Sequence, residues 1–387
     1  MALPAVPYQV CTRCVMDTSD PDITFDANGV CSHCHAVARR AAEELLPPEV
    51  AQQALDRVVA EMKRAGQGRK YDCIIGVSGG VDSTMVALHV KRLGLRPLAV
   101  HFDNGWNAEL AVKNIEVCLK TLDIDLLTHV VDWEEFRDLQ LALIKASVPN
   151  IEIVTDHAIM ALLFRTAARE GVPYIVSGGN VATESVMPRH WTYDSRDLRH
   201  ILGIHKRFGT VPVRTLPRCT LAEYAYYLFL RRIKYIPLLN YVSYNKDEAK
   251  QTIKDVLGWK DYGGKHYESI FTRFFQSYIL PRKFNMDKRR PHYSSLILSG
   301  QLTRTQALAD LAKPACAPDL AARDLEFFLK KMRLSEAEFA AIMSSPVKNF
   351  RDYPSNAWLF AQYGSWPFRL VKRIVRPRSL KPDVLRA

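Results

Sequence analysis

The sequence predicts an α/β protein built on a doubly wound parallel sheet, with a small cysteine-rich module before it and a mostly helical region after it. Three observations carry that prediction. Between residues 71 and 176, short apolar runs alternate with stretches of helical spacing. A Gly-Gly turn joins the first of those runs directly to a helix. Two Cys-x2-Cys pairs fall within the first 34 residues.

Length and composition agree. A chain of 387 residues exceeds one typical domain, and 48% hydrophobic with 24% charged residues excludes a disordered or fibrous protein. A formal charge of +12 suggests an anionic partner: nucleic acid, anionic lipid or a phosphorylated small molecule. The N-terminus has neither a basic start nor a long apolar run. The apolar stretch Leu221–Leu239, which has a helical look, is interrupted by Glu223, Arg231, Arg232 and Lys234. That is too many charges for a membrane span, so a cytoplasmic protein is expected.

Taken in order, residues 1–40 form a loop-rich module and residues 41–69 a helical linker, interrupted at Pro47-Pro48. Residues 70–215 form the sheet domain. Its first strand is Cys73–Val77, an unbroken apolar run of the kind buried on both faces. A helix over Val81–Leu93 follows, then a strand over Pro97–Phe102, a helix over Ala108–Leu122 and a strand over Asp125–Val131. Helices over Trp133–Lys145 and Asp156–Glu170 precede a fourth strand over Pro173–Val176. Residues 216–387 read as helical, with clear spacing at Thr303–Leu311, Pro318–Met332 and Ser335–Ser344.

Cys11-x2-Cys14, sixteen intervening residues and Cys31-x2-Cys34 have the spacing of a zinc ribbon. Each knuckle aims two thiolates at one ion. Four thiolates leave no open position, so the Zn²⁺ is structural and stands in for a core that about 40 residues cannot build. An iron–sulfur cluster is the alternative occupant. His33 and His35 read as exposed neighbours.

The segment Ser78-Gly79-Gly80-Val81-Asp82-Ser83 opens a helix straight from a buried strand. Glycines let the backbone approach an anion closely, and the Ser78 and Ser83 hydroxyls join the first helical N–H groups in holding phosphate oxygens. No Gly-Lys-Ser/Thr follows, so this is not a Walker loop. The string resembles the PP-loop of the ATP pyrophosphatases, and Asp103-Asn104-Gly105 after the second strand resembles a segment of the GMP synthetase type. The resemblance implies ATP cleavage to AMP and pyrophosphate, with Mg²⁺ held partly by Asp82. Asp103 sits where open sheets bind ligands, although it also reads as a strand-ending turn residue. Gly178 and Asn180, in Ser177-Gly178-Gly179-Asn180, line the nucleotide pocket or form a plain turn.

A second informative stretch runs through Gly263-Gly264-Lys265-His266-Tyr267-Glu268-Ser269 to Asp287-Lys288-Arg289-Arg290-Pro291-His292-Tyr293-Ser294. With the cysteine quartet, the loop and Thr155-Asp156-His157-Ala158-Ile159, it resembles the N-acetyl sugar amidotransferases of bacterial lipopolysaccharide O-antigen biosynthesis. That resemblance covers nearly the whole chain. It implies adenylation of the N-acetyl oxygen of a nucleotide-activated sugar, such as a UDP-diacetamido uronic acid, followed by attack of ammonia to leave an acetamidino group. Ammonia comes from a separate glutaminase with a cyclase-like subunit. Lys265, Arg282, Lys283, Lys288, Arg289, Arg290 and His292 are the expected contacts of the anionic substrate. His157, His266 and His292 are acid/base candidates, and Asp156 a polar contact of the cleft. Thr155 or Asp156 also reads as the cap of its helix, leaving His157 in a first turn.

Two rival readings are a PP-loop tRNA-modifying enzyme and a non-catalytic nucleotide-binding subunit. Cys73, Cys118, Cys219 and Cys316 are isolated, which favours nitrogen over sulfur as nucleophile. The charge is concentrated, with a net +6 in residues 369–387 and +4 in residues 282–292. A broad nucleic-acid face is therefore not expected.

Overall fold

The computed structural model describes residues 7–264 and 267–360. The helices run α1 (Ser32–Glu44), α2 (Pro48–Ala65), α3 (Val81–Arg92), α4 (Glu109–Thr121), α5 (Trp133–Lys145), α6 (Ile153–Arg169), α7 (Val181–Glu184) and α8 (Leu198–Phe208). They continue as α9 (Leu221–Ala225), α10 (Lys246–Leu257), α11 (Ile270–Phe274), α12 (Leu280–Phe284), α13 (Arg289–Leu298), α14 (Arg304–Leu311), α15 (Pro318–Met332) and α16 (Glu336–Ser344). The strands are β1 (Cys73–Gly76), β2 (Pro97–Asp103), β3 (Asp125–Val130), β4 (Tyr174–Ser177) and β5 (Lys234–Pro237).

Many of these ends are set by local chemistry. The Asp132 carboxylate caps α5 by accepting from Glu135 N at 3.1 Å. Thr303 and Ser335 close reciprocal capping boxes with Gln306 and Glu338 at α14 and α16. Asn245 caps α10, and Gly258, at φ +68°, ends it.

Contacts divide the chain into two units. Among the described residues, one comprises those within 46–179, 194–270 and 348–360; the other comprises those within 7–45, 180–193 and 271–347. This division does not follow four successive segments. The cysteine module shares a unit with α12–α16, and α2 buries Ala51, Ala54, Leu55, Val58, Val59 and Met62 within the sheet unit. The segment read as a linker is therefore a packed helix.

The sheet is fully parallel in the order β3-β2-β1-β4-β5. Chain order reverses between β1 and β4, so the carboxyl ends of those two strands form the crevice where open α/β sheets take ligands. Ile74 and Ile75 of β1 and Ile175 of β4 are fully buried. The four expected strands are present. β5 was not expected, because it lies in a stretch read as helix. The helix there stops after α9 and one wider turn over residues 226–230; Arg232 takes φ +52°, and the chain re-emerges as a four-residue edge strand against β4. No helix among the described residues is long and apolar enough to cross a membrane.

In the second unit, Phe274, Phe275 and Phe328 are fully buried, and a bidentate Arg273–Asp324 pair at 2.7 Å lies among them.

Candidate active site and metal centre

The turn from β1 to α3 is built for close approach. Gly79 has φ +78°, and a Cβ there would stand 2.5 Å from the carbonyl oxygen of Ala111 in α4. Only glycine fits, on both conformational and steric grounds. Gly80 is the N-cap of α3, and no side chain caps the helix. Its first amides are thus left for an external acceptor, at the positive end of the helix. The serines shape the loop: Ser83 Oγ lies 3.2 Å from Ser78 Oγ, and Gly80 N donates to Ser78 Oγ at 3.3 Å. Ser78, Gly79, Gly80, Val81 and Ser83 thus come together as one cradle.

Asp82 lies in the first turn of α3. Its carboxylate accepts from the Tyr244 hydroxyl and from Lys246 Nζ, the latter at 2.6 Å. Gly178 packs its backbone on this turn, since a Cβ there would come within 3.1 Å of the Asp82 backbone. Asn180 belongs to the other unit, where its Oδ1 caps α7 by accepting from Thr183 N at 2.8 Å.

At the end of β2, Asp103 Oδ1 accepts from Gly105 N at 2.9 Å and Asn107 Nδ2 at 3.0 Å, which are turn contacts. Asn104 Nδ2 reaches Thr155 Oγ1 at 3.4 Å, so the first turn of α6 stands beside the carboxyl end of β2. Asp156 is exposed on that turn. The cap of α6 is Glu152, not Thr155 or Asp156, because the helix begins three residues earlier than its apolar spacing suggested. His157 is fully buried: Nδ1 donates to Ser195 O at 2.6 Å, and Nε2 accepts from Cys219 N at 3.1 Å. Burial holds its pKa below the usual histidine range. Both ring nitrogens therefore serve the main chain in this neutral tautomer.

A roof covers the loop. Trp259 Nε1 donates to Gly79 O at 2.9 Å, and the Asn114 side chain grips Lys260 through both its N–H and its carbonyl. Tyr262 and Glu268 come against Gly80. Lys265 and His266 lie outside the described residues.

Tyr244 and Lys246 escaped the sequence reading. They stand more than 160 residues from Asp82 and carry no motif of their own; only the Asn245 cap between them marks the start of a helix.

The cysteine quartet gathers in the other unit. Sγ–Sγ separations are 3.8 Å for Cys11–Cys34, 3.6 Å for Cys14–Cys31 and 3.7 Å for Cys31–Cys34, all buried. A tetrahedral shell of zinc–sulfur bonds of about 2.3 Å requires edges of about 3.8 Å. The four thiols therefore fit one ion, whereas a multi-iron cluster would hold them farther apart. Amides of Arg13, Cys14 and Cys31 point at Cys11 Sγ at 3.2–3.4 Å, the usual support of a thiolate knuckle. Cys11, Cys14, Cys31 and Cys34 would hold the metal, which would supply rigidity and no open coordination position.

The basic block is largely engaged around that centre and its neighbours. Arg290 bonds Val15 O at 2.8 Å and pairs with buried Asp17 at 3.0 Å. Ser294 Oγ accepts from Val15 N, and Arg304 donates to the carbonyls of Cys11 and Cys14. Arg289 pairs with Asp287 and reaches the end of α14. Lys283 closes the end of α16 by donating to Ile342 O and Ser345 O at 2.7 Å. Arg282 lies over the Tyr278 ring at 3.8 Å, Lys288 reaches Met187 Sδ at 3.3 Å, and the His292 ring lies 5.8 Å from that of Tyr293. Residues 369–387 lie outside the described residues.

The described residues thus hold a glycine-turn cradle on a parallel α/β sheet in one unit and a four-cysteine cluster in the other. Residues 268–364 match the family described as LPS biosynthesis protein WbpG-like, C-terminal domain. An uncharacterized protein of Methanocaldococcus jannaschii is 23% identical over 316 residues, 79% of this chain and 93% of that protein. Among solved structures, an NMN synthetase from Francisella tularensis is 14% identical, with TM-score 0.35, and covers 75% of this chain and 98% of its own. An NAD+ synthetase from Burkholderia pseudomallei is 16% identical, with TM-score 0.31, at 77% and 94% coverage.

Proposed function

We propose that the protein is an ATP-dependent, ammonia-using amidotransferase of lipopolysaccharide or related surface-glycan biosynthesis. It converts an N-acetyl group of a nucleotide-activated sugar to an acetamidino group. The observation that carries this reading is the uncapped Gly79–Gly80 cradle at the switch point of the sheet, in a chain whose residues 268–364 match the WbpG-like domain.

The amide oxygen of the sugar attacks the α-phosphorus of ATP, and the bond to the β-phosphate oxygen breaks. Pyrophosphate stays on the amides of α3 and the hydroxyls of Ser78 and Ser83, which stabilise the charge it gains. Mg²⁺, when bound, neutralises phosphate charge. Asp82 is the proposed protein ligand, and Lys246 beside it is a cation within reach of the same charge. Ammonia then attacks the imidate carbon, the carbon–oxygen bond to AMP breaks, and a proton is lost.

Nitrogen is favoured over sulfur because Cys73, Cys118 and Cys219 are poor nucleophiles. Burial pushes Cys118 up to about 11 and Cys219 up to about 12, and raises Cys73 as well. We assign Lys265, His266 and Asp156 to substrate handling, and Arg282, Lys288 and His292 to its anionic groups. Lys283, Arg289 and Arg290 would have to exchange protein partners to join them. Ammonia comes from a separate glutaminase with a cyclase-like companion, the zinc is structural, and the enzyme works in the cytoplasm without nucleic acid.

The test is turnover of ATP with ammonium and a UDP-diacetamido uronic acid. Equimolar AMP, pyrophosphate and amidino sugar are expected. Release of ADP, or no dependence on the sugar, would overturn the proposal.

A further inference from the structure

We infer that Asp20, Asp22 and His190 form a second metal site, built of oxygen and nitrogen donors, which takes an exchangeable Zn²⁺ or a first-row divalent cation of like preference. The site is separate from the thiolate centre and from the cradle, and neither uses these residues.

The three side chains converge. One carboxylate oxygen from each aspartate and one ring nitrogen of His190 all lie within 4.8 Å of one another. His190 Nδ1 is 2.6 Å from Asp22 Oδ2. An ion held at about 2.0–2.1 Å by both would set them about 3 Å apart, so a few tenths of an ångström of opening admits it. Two carboxylates alone would be an ordinary acidic surface. The imidazole changes the donor set to one that Zn²⁺ and its neighbours prefer and that Mg²⁺ and Ca²⁺, which favour oxygen, do not.

The donors are also held in place. Asp20 is buried, and its Oδ2 accepts from His33 Nε2 at 2.7 Å. A histidine that donates to a ligating carboxylate fixes its orientation. The main chain around it closes two turns, with Asp20 N donating to Asp17 O and Ile23 N to Asp20 O, both at 3.2 Å. Asp17 is in turn tied to Arg290 and to the Tyr8 hydroxyl. His190 is fixed from its own side. It sits in a short 3₁₀ turn, Arg189–Trp191, which follows Pro188 and is anchored by the fully buried Trp191 ring. The two segments are 168 residues apart in the chain and belong to one unit, so an ion here would staple residues 180–193 to the cysteine module.

Exposure sets the strength of the site. The side chains of Asp22 and His190 are 57% and 38% exposed. Water therefore completes the coordination shell. Three ligands at a surface hold an ion less firmly than four buried thiolates, so a chelator wash leaves only the zinc of the cysteine quartet. When the ion binds, it replaces the proton between His190 Nδ1 and Asp22 Oδ2, and that proton passes to solvent.

The experiment is calorimetric titration of Zn²⁺ into the full chain that already carries its thiolate-bound metal, in excess Mg²⁺. Wild type should take one further equivalent. Asp22→Asn, which is isosteric, and His190→Ala should each weaken that step at least about tenfold. His35→Ala is the control. It removes another surface histidine–carboxylate pair, His35–Asp26 at 2.9 Å, which has no third ligand atom among the described residues. It should leave the step within about threefold of wild type. No further equivalent in wild type, or a wild-type affinity in either Asp22→Asn or His190→Ala, overturns the inference. An equal loss in His35→Ala overturns it too, because binding would then follow any surface histidine.

Discussion

Replacing Gly79 by alanine tests the cradle most directly. Two costs can be separated with a control. Gly68 has a similar φ of +73° but nothing within 4 Å of an added Cβ. Gly68→Ala therefore measures the backbone penalty alone, about 1 kcal/mol. Gly79→Ala incurs that penalty and also sets a Cβ 2.5 Å from Ala111 O, about 0.5 Å inside the closest approach that real Cβ atoms tolerate. The obstacle is the main chain of α4 at the buried Ala111, so the loop must move. A shift of about 0.5 Å takes a well-placed amide out of the 2.7–3.2 Å window for hydrogen bonding. One charge-assisted bond contributes about 1.5–3 kcal/mol, so pyrophosphate should bind about ten- to a hundredfold more weakly. Calorimetry in Mg²⁺ measures the affinity, and thermal unfolding of both variants measures stability. Binding within threefold of wild type, with a melting temperature matching that of Gly68→Ala, would refute the steric argument.

Three further outcomes are expected. Metal analysis should find one zinc per chain, and Cys14→Ser should lose it together with amide-exchange protection in α13 and α14, where Ser294 and Arg304 grip the knuckle; unchanged protection would show that the grip is not metal-dependent. Arg273→Ala should destabilise its unit by about 3–5 kcal/mol, because it strands the buried Asp324 carboxylate, and denaturant unfolding followed by a probe in that unit reads the loss. Stability should fall on acidification below about pH 6.5, since burial depresses the folded-state pKa of His157, His200 and His89. Below that pH the unfolded chain binds protons that the fold refuses, so stability is full above the unfolded pKa and is lost as pH falls. Urea midpoints at pH 7.5 and 5.5 check the sign.

Much of the fold was legible because its signals are local. The helix Trp133–Lys145 has the bounds its spacing suggests, and in the structure Asp132 caps its first turn. The strand–turn–helix of Ser78–Ser83 needs only consecutive residues, and the cysteine quartet needs only spacing. β5 was hidden because four residues at a sheet edge carry no periodicity, and their strand conformation comes from pairing with β4. The basic block shows the same dependence on contacts that the chain order does not carry. A run of Lys and Arg in sequence looks like an anion site, but Arg289 and Arg290 face Asp287 and Asp17, and Lys283 faces carbonyls at the end of α16.

The opening prediction of a doubly wound parallel sheet thus rested on the sequence alone, as did the cradle and the thiolate shell. Each depends on backbone conformation or donor type within a short stretch. Tertiary structure alone decided what surrounds them. Tyr244 and Lys246 reach Asp82, Tyr262 and Glu268 roof Gly80, and Arg304 holds the cysteine knuckle. Those contacts join residues far apart in the chain, and their energy depends on distance in space, which no local pattern encodes.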